Sequence, residues 1–280
     1  MPPLFAPVDS AQAEAAEGLS EVQACWVEGE EVKIKRIFHC VERHDESDPK
    51  TLERKKICWA SWDEIYQSGD MTPCHYWNYA RTADKELGDK RPLPFMKDLW
   101  KFALDQMDDE SILCWTNDDD FIHRNLPDYL AFHVGVYGVC TSFRSEFNGS
   151  LPSPDLSPEQ FDQGSMKHMG RDLFAATKKW LVGHWDEIPD FVIGCSDFDL
   201  MLACWVRLQY GIITNKKNII EHIFPAEIPR GYIAHQNHQS HWSKPDYQNV
   251  APGQKHNRLR FKEWASKNLP QLKFTALNTL

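Results

Sequence analysis

The run Ser111-Ile112-Leu113-Cys114-Trp115-Thr116, followed at once by Asn117-Asp118-Asp119-Asp120, decides the class of fold. It is short, apolar and bounded by acids. A strand buried between helices on both faces reads as a continuous apolar run rather than an alternating one. Such a strand delivers Asp118, Asp119 and Asp120 together at its carboxyl end, where ligands of open α/β sheets sit. Adjacent carboxylates repel one another, so a positive partner is expected. Mg²⁺ or Mn²⁺ suits them best, since these hard cations take carboxylates together with substrate phosphates. A metal held in this way bridges a diphosphate and stabilises the charge that develops on a leaving nucleoside diphosphate. The plainer use of the same acids is to cap a following helix, whose N-terminus favours negative charge.

Outward from this strand, helical and extended patterns alternate. Lys33 to Val41 predicts the first core strand, and Pro49 to Gln67 a helix with Asp48 as N-cap and Gly69 just past its end. A polar loop through Pro73, Arg81 and Gly88-Asp89 leads to a helix over Pro94–Met107, with Phe95, Leu99, Phe102, Ala103 and Met107 on one face. Beyond the acids, the pattern predicts a helix near Leu126–His133, then a strand over Val134–Ser142. Asn148–Ser165 is rich in Pro, Ser and Gly and reads as a mobile loop. Asp172–His184 reads as a helix, Phe191–Gly194 as a short strand or turn, and Asp197–Tyr210 as an apolar helix. A strand or two falls within 219–235, and Asn257–Asn268 is a closing helix. Strands alternating with helices imply an α/β fold with an open, mostly parallel sheet flanked by helices. Residues 1–24 read as a flexible, acidic lead-in, and 25–280 as one domain.

The chain has 280 residues, enough to bury a large core without staples. Its net charge of −10 disfavours a wide nucleic-acid footprint. The local exception is the basic stretch Lys255, Arg258, Arg260, Lys262, Lys267 and Lys273, which suits phosphates or a solvated helix face. The 8 Cys form no CxxC pair and several lie inside apolar runs, as free thiols of a reducing compartment do. No leader pattern opens the chain and no run approaches a membrane span, so a cytoplasmic protein without a membrane partner is expected.

Four further segments follow the acids in a telling order. Met169-Gly170-Arg171-Asp172-Leu173 contains a glycine turn. Ile193-Gly194-Cys195-Ser196-Asp197-Phe198-Asp199 sets acids before a helix. Ile233-Ala234-His235 opens a stretch with His238 and His241, and Pro252-Gly253 turns the chain into its basic end. With Asp118-Asp119-Asp120 in the place of a DxD motif, this layout over about residues 33–265 resembles the GT-A glycosyltransferases. The resemblance implies a GT-A-like catalytic domain that uses Mn²⁺ or Mg²⁺ and a nucleoside-diphosphate sugar, a UDP-sugar first. It makes Asp118 and Asp120 metal ligands, completed by His235 or His238. The later motif of that family is Glu-Asp, whereas here Ser196-Asp197 is followed by Asp199, so the base is Asp197 or Asp199.

Each assignment has a plainer counterpart. Asp197 also suits an N-cap for the helix it precedes, and both uses are compatible. His235, His238 and His241 recur every third residue, a helical zinc spacing, but Pro229 and Gly231 favour a loop. Arg81, Asp89 and Arg91 lie around a turn from which they can reach a base, ribose or diphosphate. Asn117, Arg144, Arg171, Lys255 and Arg258 are further donor contacts or simply solvated loop residues, and Lys255 and Arg258 sit where a closing segment would exclude water. The sequence thus points to sugar transfer to an acceptor hydroxyl on a glycan, a protein or a modified, hydroxylated nucleobase. The alternatives are a metal-dependent hydrolase or nucleotidyltransferase using the same acids and histidines, and a non-catalytic glycan- or protein-binding module.

Overall fold

The computed structural model describes residue 34 and residues 36–42, 49–76, 79–148, 156–163, 166–167, 171–195, 198–209, 227–228, 230–236 and 251–268. The expected lead-in at 1–24 lies outside them. In chain order the first elements are β1 (Arg36–Glu42), α1 (Pro49–Ser68), β2 (Thr72–Tyr76), α2 (Ala83–Leu87), α3 (Met96–Leu104) and β3 (Ser111–Thr116). Then come β4 (Asp120–Ile122), α4 (Leu126–Tyr137), β5 (Val139–Ser142), β6 (Ser145–Phe147), α5 (Pro158–Gln163) and β7 (Met166–Lys167). The remainder is β8 (Leu173–Thr177), α6 (Lys178–His184), α7 (Phe198–Gln209), β9 (Glu227–Ile228), β10 (Ile233–Gln236) and α8 (Pro252–Asn268).

Among the described residues the main sheet has 6 strands in the order β2-β1-β3-β8-β5-β9. All of them run the same way except β8, which is antiparallel to both β3 and β5. The expected α/β fold, an open and mostly parallel sheet flanked by helices, is what forms. The apolar run 111–116 is β3, buried at every position. Side chains alternate across a strand. Leu113 and Trp115 accordingly enter one core with Trp100, Phe174, Trp205 and Phe261. Ile112 and Cys114 enter the other, with Trp62 and Ile65 of α1 and Leu126, Leu130 and Val134 of α4. A smaller sheet, with β4-β10-β6-β7 among the described residues, stands beyond the acid turn.

Several boundaries differ from the sequence reading. The helix expected to stop at His133 continues to Tyr137, because Gly138 at φ 76° is the residue able to take the left-handed cap and return its N–H to Val134 O. Leu173–Thr177, read as helix, is the central antiparallel strand. Its partners on both sides outweigh the helix-compatible Ala175-Ala176, and the Thr177 hydroxyl then caps α6 through Trp180 N. Within the expected loop 148–165 the chain forms α5, and within the polar loop around Pro73 it forms β2. Among the described residues no helix is long and apolar enough to cross a membrane.

Candidate active site

Helix α1 buries Lys55, Cys58, Ser61, Trp62 and Ile65, a stripe at helical spacing. Its polar members hold the acid turn by the backbone. The Trp59 indole donates to Asp118 O at 3.0 Å, the Cys58 thiol to Asp119 O at 3.1 Å, and the Trp62 indole to Asp120 O at 2.9 Å. Burial raises the Cys58 pKa and the acid turn raises it further, so the thiol stays a donor. Lys55 Nζ meets Asp118 Oδ2 at 2.7 Å in a buried ion pair. The Ile122 N–H donates to Ser61 Oγ and fixes the end of β4.

The carboxylates of Asp119 and Asp120 belong to a second group. In β10, His235 is paired in register with Asp120 of β4 on one side and Glu146 of β6 on the other. Its Nδ1 lies 3.2 Å from Glu146 Oε1 and its Nε2 3.3 Å from Asp119 Oδ2. Burial opposes the imidazolium, yet Asp119 and Glu146 outweigh it and lift the pKa to about 9. Arg144 Nε lies 2.7 Å from Glu146 Oε2 in an ion pair, and its guanidinium also pairs closely with Asp172. Asp199 Oδ2 accepts the Arg171 N–H at 3.0 Å, and burial together with nearby Asp172 raises its pKa. Asp119, Asp120, Glu146, Asp172 and Asp199 thus share one neighbourhood with Arg144 and His235.

Asp120 is fully buried. Its Oδ2 accepts the Asn117 N–H at 3.1 Å, whereas its Oδ1 is buried with no hydrogen bond among the described residues. Burial first, then Asp172 and Asp119, push its pKa well above the usual carboxylate range. A buried carboxylate oxygen without a donor is costly unless something positive reaches it. Among the described residues no group of at least three His, Cys, Asp or Glu is arranged as a finished metal cage. Mg²⁺ needs none, since it takes one or two protein carboxylates and completes its shell with water and phosphate. The donor set, carboxylate oxygens with one imidazole, fits a hard divalent ion at Asp120.

In fold the chain is similar to solved glycosyltransferases. One is S. aureus TarS (residues 1–349, in complex with UDP-GlcNAc), at 9% identity, covering 88% of this chain and 76% of that one, with a TM-score of 0.41. Another is a glycosyltransferase involved in the glycosylation of the major capsid of PBCV-1, at 9% identity over 82% of this chain and 98% of that one, with a TM-score of 0.31. No protein-family model and no curated protein matches the sequence.

Of the residues singled out from sequence, Asn117, Asp118, Asp120, Arg144, Arg171, Asp199 and His235 come together here. Arg171 is buried, with its guanidinium 3.8 Å over the Phe143 ring. Others build a separate clamp. Asp89 accepts the Arg91 N–H on one oxygen and the Gly253 N–H on the other, and so caps the start of α8. Arg91 donates to Gly194 O, and the Asn257 amide bonds both the N–H and the carbonyl of Val192. This clamp steadies the turn that leads into the acidic motif. Arg81 pairs with Glu86, Asp98 and Asp190 and lies over Phe95. On α8, Lys255 is exposed and Arg258 half-buried. Asp197 and His238 lie outside the described residues, as do Met169-Gly170 and His241. Sequence reasoning passed over Lys55 and Glu146. A lysine on the buried stripe of α1 was the available signal for the first, and nothing local marks the second.

Proposed function

We propose that the chain is a metal-dependent glycosyltransferase that moves a sugar from a nucleoside-diphosphate sugar to an acceptor hydroxyl. The observation that carries this reading is Asp120, whose second oxygen is buried without a donor, among acids, at the carboxyl end of a central strand. Asp120, Asp119 and His235 would hold Mn²⁺ or Mg²⁺, which when bound offsets the charge of the donor diphosphate and its leaving group. His235 must then give up its proton to offer a lone pair, and Glu146 at Nδ1 keeps the ring oriented for that exchange. Asp197 or Asp199 would take the acceptor proton if the anomeric centre inverts. The raised pKa of Asp199 brings it nearer the range of a working base. Residues 25–280 serve as one GT-A-like catalytic domain. The acceptor class is a glycan, a protein or a hydroxylated nucleobase, and a cytoplasmic setting suits the buried free thiols Cys40, Cys58, Cys74, Cys114, Cys140, Cys195 and Cys204.

Calorimetric titration of UDP, GDP, CDP and ADP, with and without Mn²⁺, tests the reading. One nucleotide should bind in a metal-dependent manner, UDP being the first candidate, and Asp120→Ala should abolish that binding. Absence of binding by all four under both conditions would overturn sugar transfer in favour of the hydrolase or the binding module.

A further inference from the structure

We propose that His39 is a positioning residue of this site, which sets the direction of the Asp120 carboxylate through Thr116 and Asn117. His39 lies mid-way along β1 and is fully buried, with its ring edge-on to Trp62 of α1 at 5.0 Å between centroids. Its Nε2 is 2.8 Å from Thr116 Oγ1 at the end of β3, and its Nδ1 is 2.5 Å from the Tyr66 hydroxyl. The Tyr66 oxygen is in turn 3.1 Å from Nε2 of half-buried His75, in β2. A hydroxyl has one proton to give. Thr116 gives its own to Asn117 O at 3.2 Å, so toward His39 it accepts and His39 Nε2 carries the proton. In the neutral ring Nδ1 then accepts from Tyr66, and the bonds run one way from His75 to the Asn117 carbonyl.

Asn117 is thereby held at both backbone groups, its carbonyl by Thr116 and its N–H by Asp120 Oδ2. Holding Oδ2 in this way turns Oδ1 to the side where it meets no donor among the described residues. Trp62, packed against the same imidazole, donates to Asp120 O. His39 therefore governs both ends of Asp120, the carboxylate through Asn117 and the carbonyl through Trp62.

The test reads His39 and Asn117 directly by NMR on the full chain in chelator, and Mn²⁺-dependent binding of UDP, GDP, CDP and ADP by calorimetry. Only the binding readout rests on the function proposed above. Ring ¹⁵N spectra should show a proton on His39 Nε2. Thr116→Val keeps the side-chain shape without the hydroxyl, and His39→Phe keeps a ring without the nitrogens. Each should speed hydrogen exchange at the Asn117 amide roughly ten-fold, and Thr116→Ser should leave it near the wild-type rate. Metal-dependent binding should weaken about ten-fold in the first two variants, as loss of an orienting partner does, and Thr116→Ser should restore it. The His39→Phe/Thr116→Val double variant should lose no more than either single one, since both act along one path. Should His39→Phe fail to fold, the contrast between Thr116→Val and Thr116→Ser decides. An unprotonated Nε2, an unchanged Asn117 amide in Thr116→Val, or additive losses in the double variant overturn the inference. If wild type binds no nucleotide, the glycosyltransferase reading falls, and the Asn117 amide still decides whether His39 positions the acid turn.

Discussion

Asp120 divides its work between two oxygens. Oδ2 secures Asn117, and Oδ1 is the buried atom without a donor. The raised pKa means that folding holds a carboxylate where the neutral form is preferred. The stabilising contribution of such a group is complete below its unfolded pKa and is lost as pH rises through the folded one. Above the folded value its charge is therefore a cost, and removing the charge should help the fold when no metal is bound. Asp120→Asn keeps the acceptor for Asn117 and places an amide near Asp119 and Asp172. In chelator its Tm should rise by about 2–5 °C over wild type, while Mn²⁺-dependent nucleotide binding disappears. A drop in Tm would show that the repulsion at Asp120 is already balanced.

At the scale of elements, two glycines separate what backbone geometry demands from what it tolerates. Gly231 opens β10 at φ 100°, and a Cβ there would stand 2.0 Å from Pro158 O at the start of α5. Backbone cannot move aside as a side chain can, so Gly231→Ala should lower Tm on the order of 10 °C and weaken nucleotide binding through His235. Gly183, inside α6, has open space around its Cβ position. Gly183→Ala should raise Tm by about 2–4 °C, because alanine is the better helix former. The same substitution thus changes sign with its surroundings, and scanning calorimetry on the two variants reads both. Element type was legible where a local pattern was sufficient. The stripe of α1 and the apolar run of β3 declare themselves from their own residues. Leu173–Thr177 did not, since a wholly buried run suits helix or strand alike and its neighbours β3 and β5 decide. The site was half legible for the same reason. The acids and His235 stand in recognisable motifs, whereas Lys55, Glu146 and Asp172 acquire their roles through partners remote in sequence.

For the molecule as a whole, the cysteines report burial. All seven described thiols are buried and unbridged. Desolvation lifts Cys58, Cys114 and Cys140 above the ordinary value of 9.0 and takes Cys195 to about 12. The thiolate is the reactive form, so at pH 8 these four should resist iodoacetamide in native protein and react promptly in urea. Mass-spectrometric counting of the adducts checks this, and rapid native labelling of Cys114 or Cys140 would contradict the packing of the sheet against α1 and α4. The strand order also bears on synthesis. β3 and β5 meet only through β8. A nascent chain that has made Ser142 owns β1, β2, β3 and β5 of the main sheet without the strand that joins β3 to β5, and the edges facing that gap stay open to other chains until Thr177 emerges. Cutting the chain between Phe147 and Pro158 would not yield two half-proteins. The keystone strand would leave with the second piece, and neither fragment should fold until the other is present.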